Sequence, residues 1–287
     1  MFIARTLQDL SRAGREAPTN SPGRLALVPT MGALHAGHLS LLEAARHDGH
    51  RIAVSIFVNP TQFDNAGDLA RYPRDEAADL AMLRDAGCDL VWLPTVETMY
   101  PADGDARIET GGPAHGWEND ARPGHFGGVA TVVTKLLNQI RPACAYFGEK
   151  DWQQLQVIRS VVSELFIPVA IKGVTTLREA DGLALSSRNR FLDADERARA
   201  PSLHRCLLRA ARAIAEGDAS EVVLDTARED LKLRGFDVDY LALVDGRSLR
   251  VLTEPAAGAR LIAAARLGSV RLLDNTPVNP DFVNHAV

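Results

Sequence analysis

Leu25-Ala-Leu-Val-Pro-Thr-Met-Gly-Ala-Leu-His-Ala-Gly-His38 is the stretch on which the fold turns. Leu25 to Val28 is a short apolar run of the kind that forms a buried strand, and Pro29 is expected to end it. Gly32 and Gly37 then let backbone approach a ligand closely. A helix opening after them would aim unpaired N–H groups and a positive dipole end at an anion such as phosphate. His35 and His38, three apart, fall on one side of that first helical turn. Two imidazoles there could donate hydrogen bonds to phosphate oxygens. The same residues would also suit a glycine-rich turn with two surface histidines. A two-histidine metal site is a third reading, though no third ligand stands at a telling spacing.

Outward from this stretch the pattern repeats. Strand-like runs fall at 51–58, 89–93, 143–147 and 169–176, and helical patterns at 39–48, 75–86, 129–140 and 152–165. Alternating continuous apolar strands with helices predicts a parallel sheet covered on both faces. In such sheets ligands bind beyond the carboxyl ends of the strands. The tail differs. Residues 193–216 and 219–233 read as two helices, followed by β-like runs near 238–244, 260–265 and 270–273. The expected fold class is therefore α/β: a Rossmann-like parallel-sheet domain over 1–177 and a smaller α+β domain over 178–287. The boundary is expected near 175–190.

Composition narrows the function. With 287 residues and a net charge of −5, the chain offers no general surface for nucleic acid or anionic membrane, although a local basic cleft stays open. Cys88, Cys144 and Cys206 are far apart and form no CxxC pair. Neither zinc nor a disulfide framework is expected, and free thiols are. MFIARTLQDLSRAG lacks the apolar run of a signal peptide, and no stretch reaches the ~20 apolar residues of a membrane span. A cytoplasmic protein is expected.

Further polar segments follow the other strands. Asn59 and Gln62, after the second long run, are neutral amides that could bind hydroxyls and a carboxylate without adding charge. They could equally cap a loop. Gly148-Glu-Lys-Asp151 follows the fourth run. There Lys150 could face phosphates and Asp151 could cap the helix starting at Trp152, or the turn could be a solvated one. Ser186-Ser-Arg188 stands at the expected boundary, where two hydroxyls and a guanidinium would clamp phosphate or form an ordinary polar linker. Arg122, in the segment RPGHF, is a further candidate at a pocket rim.

The HxGH spacing after the first strand resembles the nucleotidyltransferase superfamily, and the fuller string PTMGALHAGHLSLL is similar to its pantothenate synthetase family. FVNPTQF (57–63), FGEKDWQQ (147–154), DGLALSSRN (181–189), RPGHFGGV (122–129) and RLLDN (271–275) match that family in order along essentially the whole chain. The resemblance implies a ligase that joins pantoate to β-alanine using ATP, through an enzyme-bound pantoyl-adenylate. It implies ATP contacts at Met31, Gly32, His35, Gly37, His38, Gly148, Lys150, Asp151, Leu177, Leu185, Ser186, Ser187 and Arg188. For pantoate and β-alanine it implies Thr30, Met31, Asn59, Gln62, Arg122 and Gln154. His35, His38 and Lys150 would be catalytic. It also implies a homodimer; Mg2+ is expected to accompany ATP, largely through the phosphates, and the C-terminal domain, which carries no comparable motif, is expected to act as a cover. A nucleotidyltransferase moving AMP onto a phosphate acceptor, and a non-catalytic nucleotide sensor on the same fold, are the rival readings. FVNPTQF argues against the first, and the intact histidines, Lys150 and Ser-Ser-Arg argue against the second.

Overall fold

The structure is a computed structural model that describes residues 1–16, 23–63 and 66–278. The expected second region extends past residue 278, and that last part lies outside the described residues. The chain divides into two compact units: Met1–Glu149 with Gln154–Thr175, and Lys150–Gln153 with Thr176 onward.

The first unit is built on six parallel strands in the order β1-β4-β3-β2-β5-β6. They are β1 (Phe2–Ala4), β2 (Leu25–Thr30), β3 (Arg51–Ile56), β4 (Leu90–Trp92), β5 (Cys144–Gly148) and β6 (Ala170–Val174). Ala26, Leu27 and Val28 on β2, and Ile52, Ala53 and Val54 on β3, are fully or almost fully buried. Consecutive apolar residues suit these positions because both sheet faces are covered. The α/β class expected from the alternation is the one observed. β1 escapes the sequence reading because three residues carry almost no periodic signal.

Strand order places the site. From β2 the chain winds outward through β3 and β4, then returns to the other side of β2 for β5 and β6. The winding therefore reverses between β2 and β5, which makes the carboxyl ends of these two strands the switch point. Their ladder stops at Leu27↔Ala145, whereas β2 stays paired with β3 as far as Thr30↔Ile56. This corrects the expectation that Pro29 ends the strand. By Pro29 the β5 ladder has already stopped, so its missing N–H costs no bond on that side.

Helices Ala36–His47, Glu76–Asp85, His125–Ile140 and Trp152–Glu164 fall where the 3.6-residue pattern put them. His125–Ile140 starts four residues earlier than expected, because its first turn contains Gly127 and Gly128, both poor helix formers. The second unit packs helices Ser202–Ala215 and Ser220–Leu233 on an antiparallel sheet of β7 (Phe236–Asp245), β8 (Ala259–Leu267) and β9 (Val270–Pro277). The segment 193–216, read as one helix, is two: Ala194–Arg199 and Ser202–Ala215. Pro201 has no N–H to continue the ladder, and the chain breaks there. Cys88, Cys144 and Cys206 are buried free thiols, and burial pushes the Cys88 thiol up to about 12.

Candidate active site

The turn after β2 is held from below. Gly32 and Ala33 both have positive φ, 80° and 51°. A left-handed alanine costs about 1–2 kcal/mol. Buried Asp79, on helix Glu76–Asp85, offsets that cost. Ala33 N–H donates to its Oδ2 (3.0 Å) and Leu34 N–H to its Oδ1 (2.8 Å). Hydrogen bonds to a charged acceptor are worth about 1.5–3 kcal/mol each. Gly32 is required twice over, by its φ and because a β-carbon there would lie 2.8 Å from Asp79 Oδ2. Thr30 completes the turn. Its hydroxyl donates to the Ser55 carbonyl (2.8 Å) and accepts from Gly32 N–H (3.2 Å).

The two histidines cap the helix that follows. His35 is the N-cap of Ala36–His47, and its Nδ1 accepts from Gly37 N–H (3.1 Å). His38 Nδ1 reaches back to accept from His35 N–H (3.3 Å), which closes a capping box made of imidazoles. The ring centroids are 4.1 Å apart. A ring nitrogen accepts only when it carries no proton, so each neutral ring holds its proton on Nε2. Two N–H donors are thus set side by side at a helix N-terminus.

The turn after β3 forms a second cluster in this unit. Asn59 caps the 3-10 turn Pro60–Gln62 and is 1% exposed. Its Oδ1 accepts from the Tyr100 hydroxyl (2.8 Å) and the Thr61 hydroxyl (3.0 Å). Its Nδ2 donates to Gln62 Oε1 (3.0 Å) and to the Gly128 carbonyl (3.2 Å). Both amide donors are spent inside the protein. Gln62 Nε2 donates to Met31 Sδ (2.9 Å), which ties this cluster to the β2 turn. The Gln62 carbonyl accepts from Arg122 (3.0 Å) and from His125 Nδ1–H (2.9 Å). Gly128 admits this packing, since a β-carbon there would lie 2.3 Å from the Thr61 carbonyl oxygen. Burial raises the Tyr100 pKa, so its hydroxyl stays protonated and can donate to Asn59.

At the end of β5, a β-carbon on Gly148 would meet nothing within 4 Å, so the space beside the strand end is open. Gln154, one turn into Trp152–Glu164, is half-buried. Lys150 belongs to the second unit, where its ammonium donates to Asp151 Oδ1 (3.2 Å). In the same unit Leu177 and Leu185 are paired by a backbone bond (3.0 Å) in a hairpin. Ser186 follows and caps the 3-10 turn Ser187–Phe191, accepting from Arg188 N–H (3.3 Å). Lys150, Ser186 and Arg188 line one cleft of this unit.

A family model described as pantoate-beta-alanine ligase matches residues 3–277. The chain belongs to the pantoate-beta-alanine ligase family. A pantothenate synthetase of Acidiphilium cryptum is 57% identical over 279 residues, covering 97% of this chain and 100% of that protein. The crystal structure of pantothenate synthetase from Thermus thermophilus superposes with a TM-score of 0.90 at 44% identity, covering 98% of this chain and 100% of that one. Pantoate-beta-alanine ligase from Francisella tularensis, complexed with beta-gamma ATP and β-alanine, superposes at 0.79 with 32% identity, covering 98% and 99%.

For a pantoate-beta-alanine ligase, the first unit brings together Thr30, Met31, Gly32, His35, Gly37 and His38 with Gln62. The second unit brings Lys150, paired with Asp151, into the cleft lined by Ser186 and Arg188. Asn59, expected to contact substrate, is hydrogen-bonded here within the protein. Its amide is consumed by Gln62, Gly128, Tyr100 and Thr61, so it shapes the turn that presents Gln62. Arg122 likewise holds the Gln62 carbonyl. Sequence reasoning missed Asp79, Tyr100, His125 and Gly128. For Asp79 a signal existed: it shares a helix face with buried Leu83, four residues on, and a carboxylate on an apolar face calls for a buried partner.

Proposed function

We propose that this chain condenses pantoate with β-alanine to give pantothenate, AMP and pyrophosphate, through a pantoyl-adenylate. The observation that carries the reading is the imidazole capping box at the switch point. A pantoate carboxylate oxygen attacks the α-phosphorus of ATP, and pyrophosphate leaves. The β-alanine amine then attacks the acyl carbon, AMP leaves, and the amine gives up a proton. A carboxylate is already nucleophilic, so the first step needs alignment and relief of charge on phosphoryl oxygens more than a base. Two preorganised Nε2–H donors beside a helix N-terminus supply that relief without reorganising.

The remaining roles are those that the family resemblance implies. Lys150, Ser186, Ser187 and Arg188 grip the phosphates. Met31, Gly32, Gly37, Gly148, Asp151, Leu177 and Leu185 border the nucleotide. Gln62, Gln154 and Thr30 orient pantoate, with Asn59 and Arg122 fixing the turn that carries Gln62. Among the described residues no three His, Cys, Asp or Glu side chains come together as a ligand set. Mg2+ would enter with ATP, held mainly by phosphate oxygens. The region from residue 178 would serve as a cover that shields the adenylate from water.

A homodimer is also proposed. Phe166 is 90% exposed beside β6, which is an edge strand of the parallel sheet, and a second copy would cover both. Sedimentation of Phe166→Glu tests this, since a variant that still pairs at micromolar concentration argues against that face. Among the described residues no helix is long and apolar enough to cross a membrane. The reaction itself is tested by incubating the chain with ATP, pantoate and β-alanine. Equal amounts of pantothenate, AMP and pyrophosphate are expected, and ADP or phosphate in their place would defeat the reading.

A further inference from the structure

The run Arg271–Asn275 has no part in the mechanism above, yet two of its residues are buried polar side chains on β9. Successive residues on a strand point to opposite faces. Asp274 and Asn275 therefore reach two different segments of the second unit. Asp274 takes the Arg178 guanidinium in a two-pronged pair (2.7 and 2.8 Å), and the same guanidinium donates to the Gly182 carbonyl (3.1 Å). Arg178 and Ala184 bridge across the hairpin that runs straight into Ser186. His204 Nδ1 lies 3.4 Å from Asp274, in ion-pair range but off the line of a hydrogen bond. Asn275 Nδ2 donates to the Lys150 carbonyl (3.0 Å). Its Oδ1 accepts from Arg260, whose guanidinium lies 3.5 Å over the Trp152 ring, and Trp152 Nε1–H donates to the Gly246 carbonyl (2.7 Å).

We propose that Asp274 and Asn275 are positioning residues that fasten Lys150 and the Ser186–Arg188 loop to one strand, which sets the spacing of the two cations that meet ATP. The proposal rests on the phosphate roles given above to Lys150 and Arg188. Asn275 lies outside the lining of the Lys150–Arg188 cleft, and Asp274, which does line it, has its carboxylate taken up by Arg178. Each acts through a backbone or a guanidinium that carries a phosphate-facing neighbour.

Asn275→Asp is the sharp probe. It keeps the acceptor for Arg260 and removes the donor to the Lys150 carbonyl. Asn275→Ser serves as a second variant should the first fold poorly. ATP dissociation constants of the full chain are measured by calorimetry for these variants, for Lys150→Ala and for the double variants, with thermal melts as a folding check. Each Asn275 variant is expected to weaken ATP binding about tenfold while the pantoate KM stays within about twofold. In the Lys150→Ala background the same change is expected to add almost nothing, because no ammonium is left to position. Unchanged ATP binding in a folded Asn275 variant would overturn the proposal. So would equal weakening with and without Lys150, which marks a merely structural role. Normal ATP binding by Lys150→Ala would overturn the phosphate reading itself, and the proposal with it.

Discussion

Two turns are assigned to phosphate, and each hangs on a buried aspartate far away in sequence. Asp79 holds the β2 turn from 46 residues away, and Asp274 holds the Ser186 hairpin through Arg178, 96 residues away. The two differ in kind. Asp79 accepts directly from neutral backbone N–H groups, so it fixes local conformation. Asp274 neutralises a cation that in turn holds a carbonyl, so it carries a charge balance as well as a geometry. The β2 turn should therefore fail in function before stability, and the hairpin in stability before function.

The largest expected effect follows from the charge balance. Asp274→Asn leaves the half-buried Arg178 without its partner and should cost about 3–5 kcal/mol of unfolding free energy at neutral pH. Burial alone would raise the Asp274 pKa, but the facing His204 and Arg178 outweigh it and hold the carboxyl below its ordinary value. A depressed folded pKa gives stability that is present above the unfolded value and lost as pH falls through the folded one. The gap between wild type and variant in urea titrations should thus persist at neutral pH and close only below roughly pH 4. A constant gap at every pH would remove the charge argument.

Next come the histidines. His35→Ala and His38→Ala should each slow adenylation by roughly 100- to 1,000-fold, the usual cost of losing a preorganised donor. The melting temperature should move little. Near-normal rates in either folded variant would take that ring out of the charge-stabilising role. Asp79→Asn sharpens the comparison. It keeps the volume but sets an amide N–H against one of two backbone donors, and displaced catalytic groups cost up to about 100-fold. A rate loss of about 10- to 100-fold is expected, with a smaller stability loss than in Asp274→Asn. The reverse ranking would break the distinction between the two turns. Gly128→Ala should have the smallest effect on rate, at a stability cost of about 1–3 kcal/mol for overpacking against the Thr61 backbone. Its β-carbon would press on the Thr61 carbonyl and shift Gln62, raising the pantoate KM several-fold while ATP binding stays near normal. A change confined to ATP would move Gln62 out of pantoate recognition.

What the sequence makes legible follows the same divide. Continuous apolar runs such as Leu25–Val28 and Ile52–Val54 announce a sheet buried on both faces, and HxGH announces a ligand-facing helix start. These signals are local. The features that hold the site are not local. Asp79 shares a helix face with Leu83 and so calls for a buried partner, but only the fold shows that the partners are the Ala33 and Leu34 N–H groups. Gly128 looks like a weak spot in a helix until Thr61 is seen against it. Asn59 gives no hint in its sequence neighbourhood that Tyr100 and Gly128 bond its amide. The break at Pro201 is written in the sequence, yet a strongly amphipathic pattern runs on both sides of it and hides it. Contact residues carry their chemistry in their type, whereas the residues that position them carry it in partners tens of residues away.

The central claim is that the β2 turn activates ATP toward a pantoate carboxylate before β-alanine is needed. Exchange of radiolabelled pyrophosphate into ATP tests it directly. The predicted result is exchange that requires pantoate, proceeds without β-alanine, and falls roughly 100-fold or more in folded His38→Ala. Exchange that appears only when β-alanine is present, or that persists without pantoate, would contradict it.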